Sequence, residues 1–386
     1  MREPACIADL RALARKRVPR ALFDYADGGA YDEITLRRNR AALEALEFRQ
    51  RVMIDISHSS VATTVLGEPW SMPVAIAPTG LTGLFHRDGE ICGARAAAAF
   101  GVPFTLSTMS ICSIEDVHAA VDKPFWFQLY LMRDRGFNEE LIGRAQAVGC
   151  SALMLTVDLP IHGVRRRDLK NGLSIPPRLT VNNAIDIATK PSWAIGVLFG
   201  KRRSFGNLAS RMKGTGGLLT LSQWIATQFD SSITWRELEW LRARWRGKII
   251  VKGILDADDA RLAVAGGVDA LVVSNHGGRQ LDSAPASISV LPEVVDAVAG
   301  RCEVLFDGGV QSGQDVLKAL ARGARGCLIG KAFLYALAAQ GEAGVTRALG
   351  IIRGELQVSM ALAGCADVRE IDGRVLRKSG YAAGGG

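Results

Sequence analysis

The segment Ser274-Asn275-His276-Gly277-Gly278-Arg279-Gln280-Leu281-Asp282 carries the residues of this chain best suited to chemistry. An imidazole at His276 can take up a proton near neutral pH. A guanidinium three residues on, at Arg279, can hold a carboxylate through two parallel hydrogen bonds. The glycines between them remove side-chain bulk, so a planar ligand can approach the backbone. The segment follows Ala270-Leu271-Val272-Val273, an apolar run that reads as a buried parallel strand. A proton acceptor and an anion clamp thus stand at one strand end.

The spacing of apolar runs predicts the elements that position them. Such runs fall at 73–77, 103–106, 125–130, 152–157, 249–252, 270–274, 304–306 and 326–329, with amphipathic stretches between them at 89–100, 113–121, 138–148, 257–265, 291–298 and 313–321. Eight strands alternating with helices predict a parallel sheet, and eight is the number that closes a (β/α)8 barrel, here spanning 71–365 of one domain. An open doubly wound sheet is the alternative, but no GxGxxG follows the first strand. Residues 1–70 read as a helical extension, with a turn at Gly28-Gly29. About ninety residues separate the fourth and fifth strands, far more than an ordinary connection, so 177–230 reads as an insertion.

Composition narrows the classes. The chain has 386 residues, 48% of them hydrophobic, enough for a large core. Its seven cysteines form no CxxC pair, which argues against a zinc site or a disulfide framework and for a reducing compartment. Met1-Arg2-Glu3-Pro4 lacks the apolar core of a signal peptide, and no stretch has the length of a transmembrane helix. A cytoplasmic or peripheral location follows. Much of the net charge of +8 lies between 177 and 229, where Arg178, Lys190, Lys201, Arg202, Arg203, Arg211 and Lys213 face one acid, Asp186. No nucleic-acid motif accompanies this basic patch, so nucleic acid is not the expected partner.

Catalytic residues of a barrel collect where its strands end. Those ends carry Thr79 and Gly80, Ser107, Gln128 and Tyr130, Thr156 and Asp158, Lys252, Ser274 and His276, Asp307-Gly308-Gly309, and Gly330-Lys331. Hydroxyls, an amide and a lysine on one rim suit a flat polar heterocycle with a phosphate tail. The glycines after the last two strands lie where barrels commonly hold phosphate. Lys252 is placed to stabilise the electron-rich atoms of a reduced flavin.

Phe127-Gln128-Leu129-Tyr130, Leu155-Thr156-Val157-Asp158, Lys252-Gly253, 274–282 and Asp307-Gly308-Gly309 together resemble the FMN-dependent 2-hydroxy acid dehydrogenase/oxidase family. The resemblance runs from about Phe23 to Glu370. It is nearest to the bacterial membrane-associated L-lactate dehydrogenase branch in Gly28-Gly29-Ala30-Tyr31, Thr35-Leu36-Arg37-Arg38-Asn39, Asp134-Arg135-Gly136-Phe137, 235–240 and Ala332-Phe333-Leu334-Tyr335-Ala336-Leu337. It implies that His276 removes a proton during oxidation at C2 and that Asp158 stabilises the protonated imidazole. Arg279 and Arg165 would clamp the substrate carboxylate, with Tyr25 adding a hydrogen bond and Tyr130 contacting the substrate oxygen. Thr79, Gly80, Ser107, Gln128, Thr156, Lys252 and Ser274 would contact the flavin; Asp307, Gly308, Gly309, Gln311, Gly330 and Lys331 would surround its phosphate. No metal is implied.

The family usually has arginine where this chain has Gln311 and Lys331, so the resemblance implies FMN that is lost more readily than usual. Met109 stands where plant glycolate oxidases have tryptophan, and Gly80, where oxidases tend to have alanine, leans towards a dehydrogenase. The expected activity is L-lactate oxidation with electrons passed to quinone or another respiratory acceptor. The alternatives are mandelate or other 2-hydroxy acids, a soluble oxidase making hydrogen peroxide, and a non-catalytic FMN- or phosphate-binding barrel. A homotetramer on the cytoplasmic side of the inner membrane is implied by likeness alone. Residues 193–199, apolar with an aromatic edge, precede Lys201-Arg202-Arg203, and such a segment within 180–215 suits a peripheral membrane contact. A lid over the site is the other role open to the insertion.

Overall fold

The computed structural model describes residues 3–172, 180–198, 200–202, 204–208 and 228–377. Three helices open the chain: α1 (Ile7–Arg17), α2 (Arg20–Asp27) and α3 (Ile34–Glu44). The helical extension ends there. Strands β1 (Thr63–Val65) and β2 (Glu68–Trp70) pair antiparallel instead, a departure from the helical reading of 1–70. Leu66 and Gly67 both have positive φ (53° and 79°), the backbone of a two-residue hairpin turn whose twist suits the flanking strands. Two three-residue strands are too short to show a period, so the sequence hides them.

Eight parallel strands form the central sheet: β3 (Val74–Ile76), β4 (Thr105–Ser107), β5 (Trp126–Leu129), β6 (Ala152–Thr156), β7 (Lys248–Ile254), β8 (Ala270–Val273), β9 (Glu303–Asp307) and β10 (Gly326–Ile329). Their order, β3-β10-β9-β8-β7-β6-β5-β4, runs through sequence neighbours. A parallel bridge between Ile76 and Phe104 joins the two ends, with the Ile76 N–H donating to the Pro103 carbonyl at 2.9 Å. The sheet therefore closes into a (β/α)8 barrel, and the open sheet is ruled out.

Strand side chains alternate between the barrel interior and the helix layer. Ala75, Met154, Ile250, Val272, Leu305 and Leu328 form one inner cluster with Trp70 and Trp126, whose rings lie 5.6 Å apart. The hairpin thus plugs the N-terminal end of the barrel. Residues one step along, such as Ile76, Leu153, Val251, Val273 and Phe306, join the larger core between strands and helices. Burial on both faces is why each strand reads as a continuous apolar run.

The described parts of the insertion are clamped to the barrel. Arg202 pairs with Asp88 (2.7 Å) and Asp116 (2.8 Å). Buried Asn207 accepts from the Ile114 N–H at 2.9 Å and donates to the Ser107 carbonyl and the Ser110 hydroxyl. In the helix Pro191–Leu198, the Trp193 indole donates to the Leu84 carbonyl at 2.7 Å and Val197 is buried. Phe199, Arg178, Arg203, Arg211 and Lys213 of the basic apolar patch lie outside the described residues.

Candidate active site

Two-residue steps along the strands carry the interior from apolar to polar at the C-terminal rim. Beyond Met154 comes Thr156, beyond Ile250 Lys252, beyond Val272 Ser274, and beyond Leu305 Asp307. This layer is tied together internally. The Lys252 ammonium lies 3.0 Å from Asp307 and donates to the Ser274 hydroxyl at 2.9 Å, and that hydroxyl donates to Asp307 at 2.6 Å. Burial pushes the Lys252 pKa down, but Asp307 and Asp158 outweigh it and leave it above the ordinary lysine value, so the amine stays charged. On the opposite side, the Ser107 hydroxyl donates to the Gln128 side-chain oxygen at 2.9 Å.

Above this layer lies a cavity of about 280 Å³. Of the residues the sequence assigned to the site, it is lined by Tyr25, Thr79, Gly80, Ser107, Tyr130, Arg165, Lys252, His276, Arg279, Asp307, Gly309, Gln311, Gly330 and Lys331. Gln128, Thr156, Asp158, Ser274 and Gly308 stand behind that lining.

His276, Gly277 and Gly278 have successive positive φ values of 57°, 64° and 73°. Three left-handed residues in a row turn the chain sharply enough for His276 and Arg279 both to reach the cavity. The Gly278 carbonyl accepts from the Ala30 N–H at 2.8 Å, locking this loop to the Gly28-Gly29 turn. His276 Nδ1 lies 2.9 and 3.1 Å from the two oxygens of Asp158. Burial pushes the Asp158 carboxyl up, yet the imidazole and Lys252 more than offset this and hold it below the usual carboxylate range. An ionised carboxylate only accepts, so Nδ1 carries a proton, and in the neutral imidazole Nε2 then presents its lone pair. That is the arrangement of a general base.

The other wall is cationic. The guanidinium groups of Arg279 and Arg165 lie 4.6 and 5.3 Å from the centroid of the Tyr25 ring. Arg279 also donates to the Tyr25 carbonyl, and Arg165 pairs with Asp168 at 2.9 Å. Burial pushes the Asp168 carboxyl up and lowers Arg279, which Arg165 lowers further. Two guanidinium groups against one carboxylate leave the wall seeking an anion. Burial raises the Tyr130 phenol above its ordinary value, so it is protonated and can donate to a substrate oxygen.

Lys331, which the sequence assigned to the phosphate, lines the cavity and reaches back to α2. Its ammonium donates to the carbonyls of Ala26 (3.0 Å), Asp27 (2.8 Å) and Gly28 (2.8 Å), which occupies all three of its donors. It thereby closes the C-terminus of the helix that carries Tyr25. The sequence also missed Arg40, Phe205 and Phe229 as cavity residues; His162, a pocket residue on the sequence alone, lines the cavity with them. Phe229 lies 5.7 Å from Tyr130 and 4.4 Å from His162, ring to ring, and burial, then Arg165 and His276, push the His162 pKa down to about 4. Phe205 and Phe229 come from the insertion, for which the sequence left a lid role open without singling out these two residues.

A closed barrel with a polar upper layer, an Asp–His base and an arginine-lined wall defines an oxidoreductase-type site for a small anionic substrate. The chain belongs to the FMN-dependent dehydrogenase family, whose model matches residues 14–378. It is 50% identical over 370 residues to an L-lactate dehydrogenase of Caulobacter vibrioides (strain NA1000 / CB15N), covering 95% of this chain and 96% of that one. It is 48% identical to an L-lactate dehydrogenase of Ectopseudomonas mendocina (strain ymp), covering 96% and 98%. Among solved structures it resembles a monotopic membrane protein, (S)-mandelate dehydrogenase, with a TM-score of 0.93 at 37% identity, covering 97% of this chain and 100% of that one.

The residues present fit FMN. Just behind the lining, the Gln128 side-chain nitrogen and the Thr156 hydroxyl are buried without a partner among the described residues. Leaving such groups unpaired is costly, and a heterocycle with ring nitrogens and carbonyls would satisfy them. At the far end, Gly309 and Gly330 leave room for a phosphate, and the helix Lys331–Leu362 begins at Gly330 with no side-chain cap.

Proposed function

We propose that this protein oxidises L-lactate to pyruvate and passes the electrons to a respiratory acceptor such as quinone. The observation that carries this reading is the pairing of the Asp158–His276 base with the Arg165/Arg279 wall across one cavity. Arg279 and Arg165 bind and orient the carboxylate, Tyr130 donates to the substrate oxygen, and His276 Nε2 accepts the proton. FMN, when bound, supplies the two-electron acceptor. Lys252 lies beneath that site to offset the negative charge that reduction brings. Relatives near 50% identity named L-lactate dehydrogenase support lactate. A second reading, L-mandelate, is favoured by the aromatic cover of Phe205 and Phe229 and by the mandelate dehydrogenase likeness. Mixing the protein anaerobically with L-lactate and, separately, (S)-mandelate discriminates them. Faster loss of visible flavin absorbance with lactate is expected; faster loss with mandelate transfers the assignment.

Exposed apolar residues of the insertion and of the rim loops support contact with a membrane. Ile161 (71% exposed), Leu281 (73%), Val181 (77%) and Ile195 (66%) present apolar side chains to solvent. No helix among the described residues is long and apolar enough to cross a membrane, so the contact would be peripheral. In this reading the insertion is both lid and contact surface, and the protein works as a homotetramer on the cytoplasmic face of the inner membrane. Replacing Val181 and Ile195 together with Asp should shift the protein from the pellet to the supernatant when it is spun with anionic lipid vesicles. Undiminished pelleting would contradict the contact.

A further inference from the structure

We propose that Arg40, on α3, supplies the positive charge that holds the phosphate of the cofactor. The inference rests on the FMN reading and assigns a residue outside the barrel strands and their loops.

Five described cations line the cavity besides histidine: Arg40, Arg165, Lys252, Arg279 and Lys331. Four are engaged elsewhere. Arg165 and Arg279 flank the Tyr25 ring, Lys252 is paired with Asp307, and Lys331 spends its donors on the carbonyls that end α2. Phosphate in a barrel is commonly held by the loops after the seventh and eighth strands, which here are the loops after β9 and β10. The loop after β9 runs through Gly308, Gly309, Val310 and Gln311. Its Gln311 side chain is uncharged, and its Gln311 N–H already donates to Asp315 at 2.9 Å. Without Arg40, the described residues at this end of the cavity would offer a dianion no cation beyond Lys331, whose donors are committed to α2.

Arg40 reaches it from α3. Its Nη1 donates to the Gly309 carbonyl and to Asp315, both at 2.8 Å, and its Nη2 lies 3.3 Å from Glu44. Those bonds engage three of the five guanidinium N–H groups among the described residues, leaving the fork able to meet phosphate oxygens. The neighbour Asn39 is 1% exposed and bonded reciprocally to Asn275 (2.8 and 2.7 Å), which fixes the helix face carrying Arg40 against the end of β8. Gly309 has φ of 88°, and a Cβ there would stand 3.3 Å from the Asn39 Cβ and 3.7 Å from the Arg40 Cδ. Loop and arginine are therefore fitted to each other.

Riboflavin, which shares the ring system and lacks the phosphate, isolates the effect. Dissociation constants for FMN and riboflavin would be measured on flavin-stripped protein by flavin fluorescence, for wild type, Arg40→Ala, Arg40→Lys and the double variant Arg40→Ala/Gln311→Arg. Expected is an FMN affinity lowered about 10- to 100-fold by Arg40→Ala, with riboflavin affinity unchanged. Arg40→Lys should lie between, and Gln311→Arg should restore FMN binding to the Ala variant. Equal loss for both flavins would mean that Arg40 only supports the fold, and unchanged FMN binding would remove it from the site. Either result overturns the proposal while leaving the FMN reading intact. Wild type that binds neither flavin overturns both.

Discussion

His276→Asn is expected to slow reduction of the bound flavin by L-lactate about 10³- to 10⁴-fold while leaving flavin content and the visible spectrum unchanged. Asparagine suits the test because His276 has φ of 57°, a left-handed conformation that Asn adopts more readily than most residues. The backbone turn that delivers Arg279 to the cavity is thereby kept. What is lost is the only imidazole whose Nδ1 is held by a carboxylate among the described residues, and with it the lone pair aimed into the cavity. His162 also lines the cavity but cannot substitute. With its pKa near 4 it is neutral at pH 7 and has little proton affinity to offer as a base. Asp158→Asn should be milder, because an amide oxygen can still orient Nδ1–H but no longer stabilises the imidazolium. Anaerobic stopped-flow absorbance measures both. A His276→Asn enzyme within tenfold of wild type would remove His276 from the base role.

The barrel strands were legible because burial on both faces makes each an apolar run, as at 270–274 and 326–329. Three helices, Gly89–Phe100, Ala257–Ala265 and Gly313–Ala321, fall where their amphipathic spacing puts them. The helix after β4 is shorter than its periodicity suggests, Ile114–His118 against 113–121, because Ala119 takes the C-cap. Rim residues were legible for a simple reason: in a parallel barrel the end of each apolar run is the rim. Of the residues arriving from outside the barrel, Tyr25 on α2 was implied by the family resemblance alone, and Arg40 by nothing. Arg40 follows Asn39 in a helix whose local pattern is ordinary, and only the closed fold brings it beside Gly309. Lys331 shows the converse. Its sequence position at a strand end matches a phosphate site, and only the closed fold shows its ammonium donating to the carbonyls of α2.

Arg279→Met tests the anion wall, and kcat/KM for L-lactate is expected to fall about 10²- to 10³-fold, chiefly through KM. Methionine keeps much of the aliphatic stem that packs over Tyr25 and deletes only the charge and the donors. Free of substrate, Arg279 and Arg165 share one aromatic ring with a single nearby acid, Asp168, and both burial and Arg165 disfavour the charge on Arg279. A substrate carboxylate relieves that repulsion, so part of the binding free energy comes from strain already present in the protein. The neutral amide of lactic acid cannot provide this relief. Wild type should therefore prefer the acid strongly over the amide, and the variant should lose most of that preference because its activity on the amide changes little. Added guanidinium ion should recover part of the activity on lactate by reoccupying the vacated position. A uniform loss on acid and amide, with no recovery, would mean that Arg279 acts through its bond to the Tyr25 carbonyl, holding α2 in place and not the substrate.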